Sequence, residues 1–114
     1  MSRLIGDEIR YKLMRLLQAN PEMSQRDVAR QLGISVGKVN YSLRALVGRG
    51  WVKVNNFKNS QNKLAYKYLL TPRGMEEKSR LTIRFLRAKM DEYENLKMEI
   101  EQIRREADAR GAER

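Results

Sequence analysis

The sequence predicts a mostly α-helical chain with a small β-hairpin wing and a long C-terminal helix. Three observations carry this. Apolar residues recur at helical spacing from Ile9 to Leu17 and again from Val28 to Leu46. Two strand-like runs, Trp51 to Phe57 and Leu64 to Leu70, flank an amide-rich turn without acids. After Gly74 neither Pro nor Gly occurs until Gly111, and apolar residues repeat there at threes and fours. The chain therefore divides into a compact unit over 1–74, with its core between Ile9 and Leu70, and an extended helix over 75–114.

In order, Met1 to Gly6 reads as a loose lead-in, and Asp7 as the cap of a first helix. The apolar positions of that helix are Ile9, Leu13, Leu16 and Leu17. Asn20-Pro21 breaks it. Ser24 is an N-cap, and Asp27 three residues on makes a capping box with Asp in place of Glu. Val28, Ala29 and Leu32 share one face of this second helix. Gly33 suits the left-handed residue that ends it. Ile34 plugs the turn and Ser35 caps a third helix, whose stripe is Val36, Val39, Leu43 and Leu46. Gly48 and Gly50 flank Arg49 as a stop signal, not a phosphate cradle.

The hairpin follows. Val52 and Val54 lie on one face of the first strand, and Leu64, Tyr66, Tyr68 and Leu70 on one face of the second. Thr71-Pro72 is a helix start with an N-cap and then Pro at the first helical position. Glu76 and Glu77 favour the positive end of the helix dipole. Leu86, Met90, Tyr93, Leu96, Ile100, Ile103 and Ala107 form a coiled-coil seam between flanks of mixed sign. A helix of this length outruns a small globule, so its far end needs a partner, and a second copy of the chain is expected. Arg110 to Arg114 should fray.

The net charge of +10 is unevenly placed. Residues 1–74 hold 14 Lys and Arg against 4 Asp and Glu, whereas residues 75–114 hold 10 of each. Between Asp27 and Glu76 there is no acidic residue. General solubility would explain a net charge but not its confinement to one segment. The pattern is that of a surface for a polyanion such as nucleic acid. Cys and His are absent. That excludes disulfides, thiol chemistry, zinc fingers with Cys/His ligands and imidazole catalysis. No carboxylate pair, P-loop or dinucleotide fingerprint is present, so neither catalytic residues nor a cofactor or metal are expected. No apolar run exceeds three residues, so no membrane span is expected. A chain without Cys fits a reducing, cytoplasmic setting.

The third helix leaves Gly37, Lys38, Asn40, Tyr41 and Arg44 off its stripe, a face with no acid and several long donors. Ala29, Gly33 and Val39 lie four, eight and fourteen positions after Gln25. This resembles the helix-turn-helix pattern of a small residue, a turn glycine and a β-branched residue in the recognition helix. LRALVGRGWVKV resembles the end of such a helix entering a wing strand. GKVNYSLRAL and NFKNSQNKLAYKYLLTPRGMEEKSRLT resemble the short, exopolysaccharide-associated subgroup of the MarR family, over Ile9 to Ile103.

The resemblance implies a winged helix-turn-helix transcriptional regulator: a homodimer on double-stranded DNA, acting on exopolysaccharide genes. Ser35 to Val47 would enter the major groove with Lys38, Asn40, Tyr41 and Arg44 as base readers. Arg26, Arg30, Ser35, Lys58 and Lys63 would hold phosphates. MarR proteins generally dimerise through helices at both ends around a ligand crevice. Here one helix follows the wing and little precedes the first helix, so the resemblance does not extend to the ligand crevice and leaves a small-molecule effector open. Two other readings share these features: an RNA-binding winged helix, and a coiled-coil module for a different protein partner.

Overall fold

The computed structural model describes residues 2–58, 61 and 64–112. Four helices and a hairpin follow one another: α1 (Ser2–Ala19), α2 (Gln25–Leu32), α3 (Val36–Gly48), β1 (Val52–Lys58), β2 (Leu64–Leu70) and α4 (Pro72–Ala112). The strands pair antiparallel, with Val52 opposite Leu70 and Lys58 opposite Leu64.

Local chemistry sets the boundaries. Ser24 Oγ accepts the Asp27 N–H at 3.1 Å, and Ser35 Oγ accepts the Lys38 N–H at 3.0 Å, so each helix has one orphan donor satisfied by its cap. Gly33 takes the left-handed conformation at φ 69° and the Ile34 N–H returns to Ala29 O at 3.1 Å, which closes α2. Past α3, Gly50 at φ 74° reverses the chain, and the Trp51 N–H donates to Leu46 O at 3.0 Å. The strand then starts at Val52, one residue later than the sequence predicts. The Trp51 backbone is committed elsewhere, since its carbonyl accepts the Thr71 N–H at 3.0 Å.

The core joins Leu13, Met14 and Leu17 of α1 to Val28 and Ala29 of α2, then to Val39, Leu43 and Leu46 of α3, Val52 of β1 and Leu81 of α4. Burying an aliphatic side chain of this size is worth roughly 1.5–3 kcal/mol, so these ten set the fold. Leu81, fully buried, lies beyond the expected limit of Leu70. The cause is that α4 packs along α1, from Lys78 on Gln18 through Phe85 on Tyr11 to Arg84 on Asp7. Tyr11 and Phe85 stack across these helices with ring centroids 4.9 Å apart.

Asp7 is therefore no cap. It sits within α1, 9% exposed, with Oδ2 3.7 Å from Arg84 Nε. Glu77, 8% exposed, faces the same guanidinium at 3.4 Å. Beside it, a hydrogen bond from Lys12 holds the Glu8 carboxyl below its ordinary pKa.

Other expectations shift for similar reasons. Met14 is fully buried though it was not on the predicted stripe, because α1 is covered on more than one side. Val36 is 45% exposed, because it stands on the first turn of α3 at the edge of the stripe. Val54 is exposed while Val52 is buried, since β1 leaves the core after its first residue. The expected fraying from Arg110 is not seen up to Ala112, since α4 continues through Gly111 despite the low helix propensity of glycine. Glu113 and Arg114 lie outside the described residues.

Candidate nucleic-acid interface

Three core residues, Val39, Leu43 and Leu46, fix how α3 is rotated. At 3.6 residues per turn the side opposite them carries Tyr41, with Arg44 and Asn40 to one flank and Lys38 to the other. All four are exposed, Tyr41 at 77%. The face expected to read bases is thus presented as one surface. α3 itself carries no acidic residue, since none occurs between Asp27 and Glu76.

Asn40 is held. Gln25 Nε2 donates to Asn40 Oδ1 at 3.5 Å and to the Tyr68 hydroxyl at 3.1 Å. Gln25 therefore links α2, α3 and β2 at one point. A second tie lies close by: the Tyr68 N–H donates to Pro21 O at 3.1 Å, and Lys67 pairs with Glu22 at 3.3 Å. These bonds seat the base of the wing against the start of α2. Reading the sequence alone misses the role of Gln25, because its partners lie 15 and 43 residues away.

The residues expected to hold phosphates are spread over three places. Arg26 and Arg30 are exposed on α2, and Arg30 lies 3.6 Å from Asp27. Such an exposed pair is weak enough, at about 0.2–1 kcal/mol, for a phosphate to compete with it. Ser35 caps α3 and uses its Oγ there. Lys58 is exposed at the end of β1, whereas Lys63 lies outside the described residues with Asn59, Ser60 and Asn62.

A cation cluster was not anticipated. The guanidinium carbons of Arg10 and Arg49 lie 5.4 and 5.2 Å from the ring centre of Trp51. Together with Lys38, Tyr41 and Ser42 they line a cavity of about 200 Å³ between α1 and α3. Arg49 and Trp51 are near neighbours in sequence, but nothing local places Arg10 with them. Among the described residues no group of three or more His, Cys, Asp or Glu could hold a metal ion. Among the described residues no helix is long and apolar enough to cross a membrane.

Comparison with known proteins agrees with this geometry. Residues 6–53 match the model of the winged helix-turn-helix DNA-binding family. No curated protein matches the chain. Among solved structures, the transcriptional regulator homologue protein from Pyrococcus horikoshii OT3 is similar, at 23% identity and a TM-score of 0.57, over 80% of this chain and 88% of that one. The PcaV transcriptional regulator from Streptomyces coelicolor, solved with its natural ligand, is similar at 24% identity and a TM-score of 0.60, over 88% of this chain and 73% of that one. Streptococcus pneumoniae FabT in complex with DNA matches at 21% identity and a TM-score of 0.51, over 73% of this chain and 56% of that one. At these identities the likenesses show the fold. Together with the match over residues 6–53, they show a winged helix-turn-helix fold.

Proposed function

We propose that the chain is a transcriptional regulator that binds double-stranded DNA as a homodimer, with α3 in the major groove. The observation that carries this is the solvent face of α3. Lys38, Asn40, Tyr41 and Arg44 stand exposed together on a helix fixed by its own core, in a segment free of acids. Arg pairs with guanine and Asn with adenine through two hydrogen bonds each, and an aromatic ring can meet a thymine methyl. Arg26, Arg30, Ser35, Lys58 and Lys63 would set register on phosphates. A match to a DNA-binding family and a fold shared with a regulator solved on DNA support the reading. The likeness of the wing and third helix to short MarR-type regulators of exopolysaccharide clusters supports that class of target gene.

The test is selection of bound sequences from random duplexes, followed by competition with structured RNA at equal salt. The expected result is an enriched inverted repeat that outcompetes both random DNA and RNA. No enrichment, or tighter binding to RNA, refutes the reading.

A further inference from the structure

From Asp91 to Gly111 every residue of α4 is exposed, including Tyr93 at 63%, Leu96 at 54%, Ile100 at 46% and Ile103 at 55%. We infer that this stripe is covered by a second copy of α4 running parallel and in register, with Glu92 against Lys97 of the partner subunit and Glu99 against Arg104 of the partner subunit. The inference rests on the dimeric regulator reading and specifies how its two copies meet.

The argument is the placement of charge about the seam. With Leu86 as position a of a heptad, Tyr93, Ile100 and Ala107 continue the a row, and Leu96 and Ile103 occupy d. Position g is then acidic, at Glu92, Glu99 and Glu106, whereas position e holds Met90 in the first heptad, which this register moves to the edge of the seam, and is basic at Lys97 and Arg104. In a parallel coiled coil each g residue faces the e residue of the next heptad on the other helix. Every such meeting of charges here joins acid to base, and the two-fold axis repeats it. In an antiparallel coil g faces g and e faces e. Acid would then oppose acid and base would oppose base along the whole seam.

The same segregation selects the occupant. A helix acidic along g and basic along e is complementary to its own copy. A foreign helix would have to reproduce that pattern. Among the described residues Lys97, Glu99 and Arg104 make no ion pair within the chain, so all three are available. Lys89, at the d position before Tyr93, is engaged instead with Glu92 at 3.1 Å and Glu8 at 3.8 Å. It marks where the seam gives way to the α1 contact. That contact uses a different side of α4, with Leu81 fully buried while Leu86 is 57% exposed. One helix can therefore hold α1 and a partner at once. Parallel pairing puts both winged heads at the same end of a shared stalk, where two α3 helices can meet one duplex.

The chain has no Cys, so single cysteines report the pairing without background. Leu86→Cys and Ala107→Cys lie at a positions three heptads apart, about 31 Å along the helix. In the parallel coil each faces its own copy, within the Cα separation of about 4.4–6.8 Å that a disulfide spans. Mild oxidation should convert each variant alone to a covalent dimer, with few mixed links when the two are combined. Dominant mixed links mean antiparallel pairing and overturn the proposal. A dimer in sedimentation that cross-links neither way overturns it too, but leaves the dimeric reading standing. A monomer overturns both, and a foreign helix would then be the occupant. As a second arm, Lys97→Glu with Arg104→Glu should weaken self-association roughly 10- to 100-fold, since four attractive pairs become repulsive. Adding Glu92→Lys with Glu99→Lys should restore it. An unchanged association constant in the first pair of substitutions overturns the parallel arrangement.

Discussion

Gly74 lies so close to Trp51 that a Cβ on it would stand 1.9 Å from the Trp51 carbonyl oxygen. That oxygen already accepts the Thr71 N–H, and the Thr71 hydroxyl donates to Gly50 O at 2.6 Å while accepting the Gly74 N–H at 3.0 Å. The start of α4 is thereby pressed onto the end of the helix-turn-helix. Replacing Gly by Ala in a helix normally gains up to about 1 kcal/mol. Here the clash is with backbone that cannot rotate away, and overpacking costs about 1–3 kcal/mol or more. Gly74→Ala should therefore destabilise the chain in denaturant unfolding. A stability at or above that of the parent would show that α4 can shift freely at this point.

This contact also shows where reading the sequence stops. The caps Ser24, Ser35 and Thr71 and the turn glycine Gly33 act on residues within a few positions, and all four are legible. The stripe of Val39, Leu43 and Leu46 follows from helical period alone. Asp7 reads locally as a cap, yet its partner Arg84 comes from the far side of the fold. Gly74 has no local signature, because its reason is a carbonyl 23 residues earlier in the chain. The exposed face of α3 was legible from its lack of acids. The brace on Asn40 was not, since Gln25 and Tyr68 meet only in three dimensions.

Arg84 joins Asp7 of α1 to Glu77 of α4, and both carboxylates are buried. Removing the cation would strand Asp7 and leave Glu77 with only Arg80, 3.2 Å away and largely exposed. Breaking a fully buried pair costs about 3–5 kcal/mol, and because Arg84 itself is 41% exposed, about 2 kcal/mol is the expected loss for Arg84→Leu. Combining it with Glu77→Leu should recover part of that loss, because a buried carboxylate left with one exposed partner is gone. Strict additivity of the two losses in denaturant titrations would show that Arg84 and Glu77 are energetically independent.

Asn40→Ala or Arg44→Ala should weaken specific binding by about 1–3 kcal/mol and leave binding to random duplexes nearly intact. Gln25→Ala should act in the same direction more weakly, because it removes the hydrogen bond to Asn40 and not a base contact. Anisotropy titrations on selected and random duplexes separate the cases. Equal losses on both would place these side chains on the backbone, not on the bases.

Lys58→Ala together with Lys63→Ala should reduce affinity for all duplexes alike. Each phosphate contact releases counterions, so the slope of log affinity against log salt should become shallower by up to about two units. A slope that does not move puts the hairpin tip away from the phosphates.

The long helix divides into two parts. Its early turns complete the core through Leu81 and clasp α1 through Arg84 and Phe85, whereas every residue over 91–111 is exposed. A chain ending near Leu81 should therefore be strongly destabilised, because it loses the clasp and frays the turn that holds Leu81. A chain ending at Asn95 retains all of these contacts and should unfold as the full chain does at low concentration. It should also sediment as a monomer, since most of the seam is gone. Linked modules raise each other's effective concentration, and avidity can exceed single-site affinity by about 10²–10⁴. The shortened chain should lose a large part of that factor on an inverted repeat whose half-sites are about one helical turn apart, while still binding a single half-site. Leu96→Asp with Ile100→Asp applies the same test to the full-length chain by placing charges in the seam. Sedimentation and operator binding are measured on the same preparations. If either variant remains a dimer, the contact between copies lies outside α4. If both are monomers that bind the repeat as tightly as the parent, pairing occurs but recognition does not depend on it.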